Sequence, residues 1–580
     1  MTMINLTINN RKVAVEEGST VLEAAKKLDI KIPTLCHLDL HNLKMVNKAA
    51  SCRVCVVEVE GRRNLAPSCA TPVYEGMVVK TNTIRCIKAR RVVLELLLSN
   101  HPKDCLVCEK NLDCELQALA GELNIREIKY KGERAKHPKD ISSKSIVRNM
   151  DKCILCRRCE TMCNEVQTVH VLSAVNRGFN TFIAPSMNLP MQDTTCTFCG
   201  QCVAVCPTGA LTEVINISKV WDALNDKKKF VIVQTAPAVR VALGEEFGAE
   251  PGTRVTGQMV AALRQLGFDQ VFDTDFAADL TIMEEASEFV HRLQHGGKLP
   301  ILTSCCPGWV KFFEHQFSDM LDIPSTSKSP HEMFGVIAKT YLAQKLGIDA
   351  KDIVVVSVMP CLAKKYEAAR PELSHEGLQD VDIVISTREL AQMLKEANIN
   401  LMTLEKEEFD HPMGESTGAG VIFGTTGGVI EAALRTAYEW LTKETLEKVE
   451  FHDLRGFNGI KEAVIKINDL DVKIAVAHGL GNARELLENI RAGKTQYHAI
   501  EIMACPGGCI GGGGQPYHHG DMDILKKRME GIYQEDEGKV IRKSHENPSI
   551  QKLYAEFLGE PYGEKAHQLL HTHYVKRRKM

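Results

Sequence analysis

The strongest constraint on the fold of this chain is a cysteine spacing that occurs twice. The pattern C-x2-C-x2-C-x3-C is formed by Cys153, Cys156, Cys159 and Cys163, and again by Cys196, Cys199, Cys202 and Cys206. In such paired runs, three cysteines bind one iron-sulfur cubane and the fourth reaches across to the other. Two [4Fe-4S] clusters are therefore predicted, one with Cys153, Cys156, Cys159 and Cys206, and one with Cys196, Cys199, Cys202 and Cys163. Zinc is the alternative, but it favours isolated C-x2-C pairs.

This duplicated module resembles bacterial two-cluster ferredoxins, although Asn164 stands where the first run would usually have proline. The chain has 21 cysteines, an odd number that disfavours complete disulfide pairing. The amino-terminal sequence has no signal peptide, and no segment reaches the roughly 18 apolar residues of a membrane span. The protein is therefore expected in the cytoplasm, where thiols stay reduced and so many cysteines indicate metal.

Charge gives no sign of a nucleic-acid partner. The formal net charge is -3, and lysine and arginine form no concentrated stripe. Phosphate binding needs clustered positive charge, so nucleic acid is not expected as a partner.

Four further cysteines follow a predicted β-grasp fold at the start of the chain. Two alternating strands, INLTI and RKVAV, are joined by Asn9 and Asn10, and a helix capped by Ser19 or Thr20 comes next. The cysteines after it have the spacing C-x15-C-x2-C-x13-C, which suits a [2Fe-2S] cluster in a loop, with zinc as the alternative. They are Cys36, Cys52, Cys55 and Cys69.

A histidine precedes the next three cysteines. The order H-x3-C-x2-C-x5-C comprises His101, Cys105, Cys108 and Cys114. A lone histidine near cysteines is usually a surface residue, but three cysteines leave a cubane one ligand short. A His-ligated [4Fe-4S] cluster is therefore predicted, and it would have a more positive potential than an all-cysteine cluster because imidazole is neutral.

At this point the chain resembles the amino-terminal iron-sulfur region of the large subunit of respiratory complex I. The resemblance rests on PTLCHLDL, SCRVCVVEVEG, SCATPVYEGM and LLLSNHPKDCLVC, between residue 33 and about residue 123. Related regions occur in hydrogenases and formate dehydrogenases.

From residue 229 onward, apolar runs alternate with helical periodicity, which predicts an α/β domain with mainly parallel sheet. Three predicted strands run directly into cysteines: LPILTS into Cys305 and Cys306, DIVVVSVMP into Cys361, and YHAIEIMA into Cys505. Ligands of open α/β sheets bind at the carboxyl ends of strands, so these cysteines are expected to converge.

Three motifs in this region resemble the signatures of [FeFe]-hydrogenases almost letter for letter. They are TSCCPGW, MPCLAKKYE and EIMACPGGCIGGGGQP, and the resemblance extends over roughly residues 150 to 575. Four thiolates would hold one [4Fe-4S] cluster: Cys306, Cys361, Cys505 and Cys509. The resemblance implies that Cys509 also bridges to a diiron subsite with carbonyl, cyanide and azadithiolate ligands, which together form the H-cluster. The glycines from Gly507 to Gly514 lack the Lys-Ser/Thr ending of a phosphate loop, and we expect them to let backbone approach the inorganic group.

The predicted ligands account for nineteen of the 21 cysteines and leave Cys86 and Cys305. Cys86 is expected to be a small buried hydrophobe. Cys305 is adjacent to a predicted ligand, so its thiol is free to transfer protons, and an ordinary thiol pKa near 8.5 suits that task.

Upstream, Glu285, Glu288 and Arg292 fall on one face of a predicted helix, where a solvated charged stripe is the ordinary interpretation. The family resemblance implies instead a proton path that leads from solvent to the thiol. Its members are, in order, Arg292, Glu288, Ser325, Glu285, a water molecule and Cys305.

Other residues are expected around the diiron subsite. Lys364 is expected to donate to a cyanide nitrogen, and Met359 and Met503 to supply apolar packing. Pro237 lies in the strand-end loop TAPAVR, and Ala238 stands where relatives often have serine near the second cyanide.

The sequence thus predicts four domains: β-grasp [2Fe-2S] at 1–80, His/Cys [4Fe-4S] at 81–140, two-cluster ferredoxin-like at 141–220, and an H-cluster domain at 221–580 with a small-subunit-like carboxyl-terminal segment. The expected function is reversible hydrogen oxidation, in an electron-bifurcating complex linked to NADH and ferredoxin. The expected partners are a flavin subunit resembling that of complex I, a small [2Fe-2S] subunit and ferredoxin. A stand-alone, ferredoxin-dependent hydrogenase is the alternative; an inactive assembly homologue and a sensory hydrogenase are disfavoured because Cys305 and the third motif are present.

Overall fold

The computed structural model describes residues 2–39, 50–303 and 305–577. The chain starts with a small five-stranded sheet. Its strands are β1 (Met3–Ile8), β2 (Arg11–Glu16), β3 (Val56–Val59), β4 (Ala66–Pro67) and β5 (Val78–Lys80). Their order in the sheet is β2-β1-β5-β3-β4, with helix α1 (Val21–Lys26) packed against it.

Local sequence explains the first hairpin and helix. Asn9 and Asn10 have φ values of 47° and 67°, the left-handed conformation that a two-residue hairpin turn needs and that asparagine tolerates. Thr20 forms a capping box with Glu23 at the start of α1. The predicted cap is therefore Thr20, and the helix is shorter than the STVLEAAKKL segment.

The middle of the chain consists of short elements around cysteine loops. The helices are α2 (Ile84–Ser99), α3 (Glu115–Glu122), α4 (Arg158–Thr161) and α5 (Gln201–Ala204). The strands are β6 (Ile146–Arg148), β7 (Ser173–Val175), β8 (Phe182–Ala184) and β9 (Leu211–Glu213), which pair as β6 with β9 and β7 with β8.

Two four-stranded sheets form the larger α/β part. Their eight strands are β10 (Phe230–Thr235), β11 (Gln270–Asp273), β12 (Ile301–Leu302), β13 (Ile353–Met359), β16 (Ile383–Ser386), β17 (Ile460–Ile467), β18 (Leu470–His478) and β19 (Ala499–Met503). Strands β14 (Ser374–His375) and β15 (Leu378–Gln379) form a separate hairpin. The sheet β11-β10-β13-β16 is parallel throughout, whereas β12-β19-β18-β17 has one antiparallel pair, β17 with β18. The predicted fold class is confirmed, and the β14–β15 and β17–β18 hairpins are additions to it.

Helices cover both sheets. They are α6 (Ile217–Asn225), α7 (Thr256–Leu266), α8 (Thr274–His295), α9 (Pro307–Gln316), α10 (Pro330–Ile337), α11 (Ala343–Leu346), α12 (Ala363–Glu367), α13 (Thr387–Glu396), α14 (Gly418–Val421), α15 (Gly428–Thr442), α16 (Leu480–Arg491), α17 (Met522–Glu537), α18 (Pro548–Leu553) and α19 (Glu564–Leu570). Within the described ranges, no helix combines the length and apolar composition needed to cross a bilayer.

Helix α8 begins earlier than the sequence pattern indicates. Strand β11 stops at Asp273, whose side chain accepts a hydrogen bond from the backbone N–H of Asp275. Asp273 thus caps the helix, which then runs for 22 residues and places Glu285, Glu288 and Arg292 on one rigid element. The predicted domain boundaries stay a prediction.

Candidate active site

A buried cavity of about 70 Å3 lies where the carboxyl ends of strands from both sheets meet. The residues that follow β10, β12, β13 and β19 reach it, as the strand-end rule predicts. Predicted site residues in its wall are Pro237, Cys305, Cys306, Met359, Cys361, Lys364, Met503 and Cys509. The cavity therefore brings together residues that are up to 272 positions apart, from Pro237 to Cys509.

Four thiols are grouped at one end of this cavity. The thiol of Cys505 interacts electrostatically with those of Cys361, Cys306 and Cys509. Burial raises the pKa of the Cys361 and Cys509 thiols, and the neighbouring Cys306 raises it further. Several thiols held together in an apolar setting repel one another as thiolates, so the donor set fits a cationic iron cluster.

Two glycines of the loop between these thiols also make close contacts with protein backbone, while the predicted approach to an inorganic group stays a prediction. A Cβ added at Gly512 would lie 2.2 Å from the carbonyl oxygen of Pro360, and one added at Gly513 would lie 2.7 Å from the Cα of Gly200. These glycines therefore let the loop pack on protein backbone beside Cys361 and beside the ferredoxin-like module.

The cysteines of the duplicated motif separate into two groups that cross over between the runs. Cys206 interacts electrostatically with Cys153, Cys156 and Cys159 of the first run. Cys163 interacts in the same way with Cys196, Cys199 and Cys202 of the second run. These groupings are the ones that the spacing predicts, and ligation itself stays a prediction.

The second of these groups lies next to the cavity. The thiol of Cys199 interacts electrostatically with Cys306 and with Cys505. A cluster on Cys163, Cys196, Cys199 and Cys202 would therefore neighbour one on the cavity cysteines.

The β-grasp cysteines also come together. Cys55 Sγ lies 3.4 Å from Cys69 Sγ, and the Cys36 thiol makes side-chain hydrogen bonds with Cys52 and Cys69. All four side chains are buried. Cys36 and Cys52 pack in the same apolar cluster as Cys156, which connects this group to the ferredoxin-like module.

His101 fits the neutral ligand that the sequence predicts. Its Nδ1 atom is buried and has no hydrogen-bond partner within the described residues. Burial lowers the pKa of His101 to about 4, which keeps the imidazole neutral and able to bind metal. Lys152 lies beside both His101 and Cys108, and Cys114 Sγ lies 3.6 Å from the carbonyl oxygen of Pro207, the residue after Cys206. Cys105 is exposed, unlike the other predicted ligands.

The predicted proton path is a buried set of contacts rather than a solvated stripe. Arg292 Nη2 donates to Glu288 Oε1, and Ser325 Oγ donates to Glu288 Oε2 at 2.9 Å. Glu285 and Glu288 are 4% and 1% exposed. Burial raises the pKa of the Cys305 thiol well above its ordinary value, and the nearby Glu285 and Cys306 raise it further. The expectation of an ordinary thiol pKa was therefore wrong, because the sequence does not show burial.

Lys364 is already hydrogen-bonded by the protein. Its ammonium donates to Glu367 Oε2 at 2.6 Å, Ser329 Oγ at 2.9 Å and the carbonyl oxygen of Cys305 at 3.2 Å. An ammonium has three N–H donors, so all three have protein acceptors. For Lys364 to donate to a cyanide as predicted, one of these three contacts would have to be replaced. The contact with the carbonyl oxygen of Cys305 is the longest of the three.

Ala238 differs from the other predicted cofactor contacts. It is fully buried, but Ala236 and Pro237, rather than Ala238, line the cavity. Its carbonyl oxygen accepts a 2.8 Å hydrogen bond from Gln515 Nε2, which ties the loop after β10 to the loop after Cys509.

Sequence reasoning missed three polar or aromatic residues in the cavity wall. Thr274, His331 and Phe423 line the cavity and come from α8, from α10 and from the turn after α14. The only local feature of the sequence near any of them is Ser329-Pro330, which marks the start of helix α10 just before His331. No spacing rule connects these residues to the cysteines.

Cysteine groups that lead to a buried cavity, with buried carboxylates near its Cys305, are typical of an iron-sulfur oxidoreductase. Comparison with known proteins identifies the family within this class. Residues 229–513 match the family described as the iron-only hydrogenase large subunit, C-terminal domain, and residues 522–577 match the iron hydrogenase small subunit. The front matches a 2Fe-2S iron-sulfur cluster binding domain (1–84), the NADH-ubiquinone oxidoreductase-G iron-sulfur binding region (90–129) and the ferredoxin-like domain of NADH-quinone oxidoreductase subunit 3 (143–212).

Whole-chain relatives agree with these matches. The NADP-reducing hydrogenase subunit HndD of Solidesulfovibrio fructosivorans is 66% identical, over 100% of both chains. Iron hydrogenase 1 of Clostridium pasteurianum is 41% identical, over 99% of this chain and 100% of its own. An apo [FeFe]-hydrogenase structure from Chlamydomonas reinhardtii aligns with a TM-score of 0.57 and 45% identity, over 63% of this chain and 99% of its own.

This chain belongs to the [FeFe]-hydrogenase family, as its large subunit. The predicted resemblance is confirmed, and so is the similarity of the front to complex I.

Proposed function

We propose that this chain is the catalytic subunit that interconverts protons, electrons and molecular hydrogen. The observation that carries the proposal is the position of the cavity. It adjoins the last cysteine group on one side, through Cys199 and Cys306, and the acidic path on the other, through Cys305 and Glu285. Electrons and protons would therefore reach one enclosed space by separate routes.

Four residues would hold the H-cluster: Cys306, Cys361, Cys505 and Cys509. Bound there, its diiron subsite with carbonyl, cyanide and azadithiolate ligands supplies the chemistry that forms and splits hydrogen. Met359, Met503 and Pro237 line the cavity and would exclude water from it. Lys364, held by Glu367 and Ser329, places a buried positive charge at the same wall.

Protons would move along Arg292, Glu288, Ser325 and Glu285 to Cys305. The Cys305 thiol holds its proton firmly because burial disfavours the thiolate. It would act as the last donor to the cavity and the first acceptor from it. Glu288 stays in place because Arg292 and Ser325 hold its two carboxylate oxygens.

Electrons would pass through one [2Fe-2S] and three [4Fe-4S] clusters. The group of Cys153, Cys156, Cys159 and Cys206 is the junction. Cys156 packs with Cys36 and Cys52, and Cys206 precedes Pro207, whose carbonyl oxygen contacts Cys114. Two front clusters would thus feed one path that continues through Cys199 to the cavity.

We infer further that the chain works in a larger complex linked to NADH and ferredoxin, and that the complex bifurcates electrons. The complex-I-like front supports a flavin subunit as partner, and HndD of Solidesulfovibrio fructosivorans, by its name, is one subunit of an NADP-reducing hydrogenase. A small [2Fe-2S] subunit would complete the link. A stand-alone ferredoxin-dependent hydrogenase is the alternative.

The test compares the isolated chain with the complex purified anaerobically from the native host. Hydrogen uptake is measured with NAD, NADP and ferredoxin, each alone and in pairs. We expect the complex to reduce a nicotinamide only when ferredoxin is also present. Reduction of a nicotinamide alone would contradict bifurcation, and a chain that is monomeric in its host and fully active with ferredoxin would establish the alternative.

A further inference from the structure

His331 lies in the wall of the cavity and belongs to neither the cysteine groups nor the proton path. It is the second residue of α10 and is 1% exposed. The residue lines the cavity together with Cys305, Met359 and Cys509. A buried imidazole at this position needs polar partners on both of its nitrogen atoms.

One ring nitrogen, Nδ1, has such polar partners. His331 Nδ1 lies 3.0 Å from Glu367 Oε2 and 2.9 Å from Glu332 Oε1. Ionised carboxylates only accept hydrogen bonds, so Nδ1 carries the proton of this contact. The two glutamates therefore fix both the tautomer and the orientation of the ring.

The other nitrogen has none within the described residues. His331 Nε2 is buried and lacks a hydrogen-bond partner, although the residue lines the cavity. Because native proteins rarely leave such an atom unpaired, a group bound in the cavity is its natural partner.

The surrounding charges favour an imidazolium, which has a proton on Nε2 as well. Two carboxylates, Glu332 and Glu367, lie beside the ring, against the one ammonium of Lys364, which contacts Glu367. Burial raises the pKa of Glu332, and the neighbouring His331 opposes that rise. A charged His331 would balance the cluster. Burial lowers the pKa of His331, but the charge of Glu332 and the hydrogen bonds to both carboxylates outweigh it and raise the value.

We propose that His331 presents a Nε2–H hydrogen-bond donor to a cyanide ligand of the group bound in the cavity. The inference rests on the proposed function and adds a cofactor contact to it. Lys364 does not replace this donor, because its three N–H groups already have acceptors in the protein. A positively charged donor at a cyanide nitrogen draws electron density from iron, which reduces back-donation and strengthens the carbon–oxygen bonds of the carbonyls.

The test uses infrared spectra of the fully matured protein in one fixed redox state. The variants are His331→Leu, which has no donor, and His331→Gln, which has a neutral donor. The control is His545→Gln, since His545 forms a comparable pair with Glu439, at 2.8 Å, in a different part of the protein. Iron is counted in every sample to show that the clusters are present.

The carbonyl bands should move to lower wavenumber in His331→Leu and by less in His331→Gln, while the control matches the wild type. Coincident bands in wild type and His331→Leu, at equal iron content, would overturn the inference and leave the proposed function intact. Absence of carbonyl and cyanide bands from the matured wild type would refute the proposed function itself.

A second variant covers the case in which His331→Leu does not fold. Glu332→Gln keeps the ring but removes one of the charges that hold its proton. Its carbonyl bands should shift in the same direction as those of His331→Gln. If neither variant moves the bands, the inference fails.

Discussion

Ser325 Oγ donates a 2.9 Å hydrogen bond to Glu288 Oε2, and the loop that carries Ser325 is fixed by the carboxyl-terminal segment. The hydroxyl of Tyr574 donates to the carbonyl oxygen of Ser325, and the N–H of Lys328 donates to that of Leu570 at 2.7 Å. Thr326 Oγ1 lies 2.7 Å from His571 Nδ1. The segment that matches the small-subunit family therefore holds one side of the proposed proton path.

Replacing Ser325 with alanine should slow hydrogen evolution by about 100-fold or more, because the hydroxyl that the proposed path places after Glu288 is lost. Iron content and the infrared bands should not change. Thr340→Ala is the control, since its hydroxyl bonds only within its own helix, to Val336. Turnover near the wild-type rate in Ser325→Ala would exclude this hydroxyl from the path.

Cys305→Ala should assemble every cluster and yet lose activity by several orders of magnitude, about 100- to 10,000-fold. The clusters should assemble because Cys305 is not a predicted ligand. Activity should fall because the Cys305 thiol is the last proton carrier of the proposed path. Cys86→Ala is the control, because Cys86 is the other cysteine outside the predicted ligand groups; it is buried, with its thiol 3.7 Å from the carbonyl oxygen of Lys80. Equal activity in the two variants would contradict the proposed route.

His101→Cys should retain its cluster but shift the reduction potential of that cluster to a more negative value. A thiolate adds a negative charge where the neutral imidazole of His101 had none. Redox titration followed by electron paramagnetic resonance measures the change, with the [2Fe-2S] signal of the same sample as internal control. An unchanged potential for all clusters would show that His101 is not a ligand.

Fully matured protein should contain about 20 iron atoms per chain and essentially no zinc, given the cluster types that the ligand groups imply. Elemental analysis with quantitative protein determination measures both metals. Zinc in whole-number amounts would refute the assignment of the β-grasp or ferredoxin-like cysteines.

Asp536 should stabilise the fold at neutral pH and lose this effect in acid. Burial opposes its ionisation, but hydrogen bonds from Arg542 and Arg435 outweigh burial and hold the pKa of Asp536 below its usual range. A carboxyl group whose pKa is lower in the folded than in the unfolded protein stabilises the fold at pH values above its unfolded pKa, about 3.9. This stabilisation disappears as the pH falls through the folded pKa.

Asp536→Asn should therefore cost about 3 kcal/mol at pH 7, since it leaves Arg435 buried with one counter-ion fewer. Anaerobic thermal unfolding measures the difference at pH 7 and its decline on acidification. Asp523→Asn in the same helix is the control, because Asp523 pairs with Lys526 at the surface. A constant difference between Asp536→Asn and wild type at all pH values would contradict the role of the charge.

Much of the ligand arrangement could be predicted from the sequence because it is local. The cysteines of each run lie two or three residues apart, and that spacing already selects which thiols can meet. The Asn9-Asn10 turn and the Thr20 cap depend in the same way on neighbouring residues. The proposed proton path comes from the family resemblance and stays a prediction, whereas the helix that carries Glu285, Glu288 and Arg292 could be predicted from their periodicity.

Tertiary structure decided the contacts between residues that lie far apart. The order of strands in two sheets brings α10 to the cavity, and only that packing gives His331 two carboxylate partners on one side and none on the other. The same packing provides acceptors for every N–H of Lys364, buries Cys305 and places Ala238 behind the cavity wall. Short spacing determines which three thiols of a run can share a cluster, because the chain connecting them is short. The meeting of the distant cavity thiols, and the burial and pairing of the remaining side chains, depend on how separate elements pack.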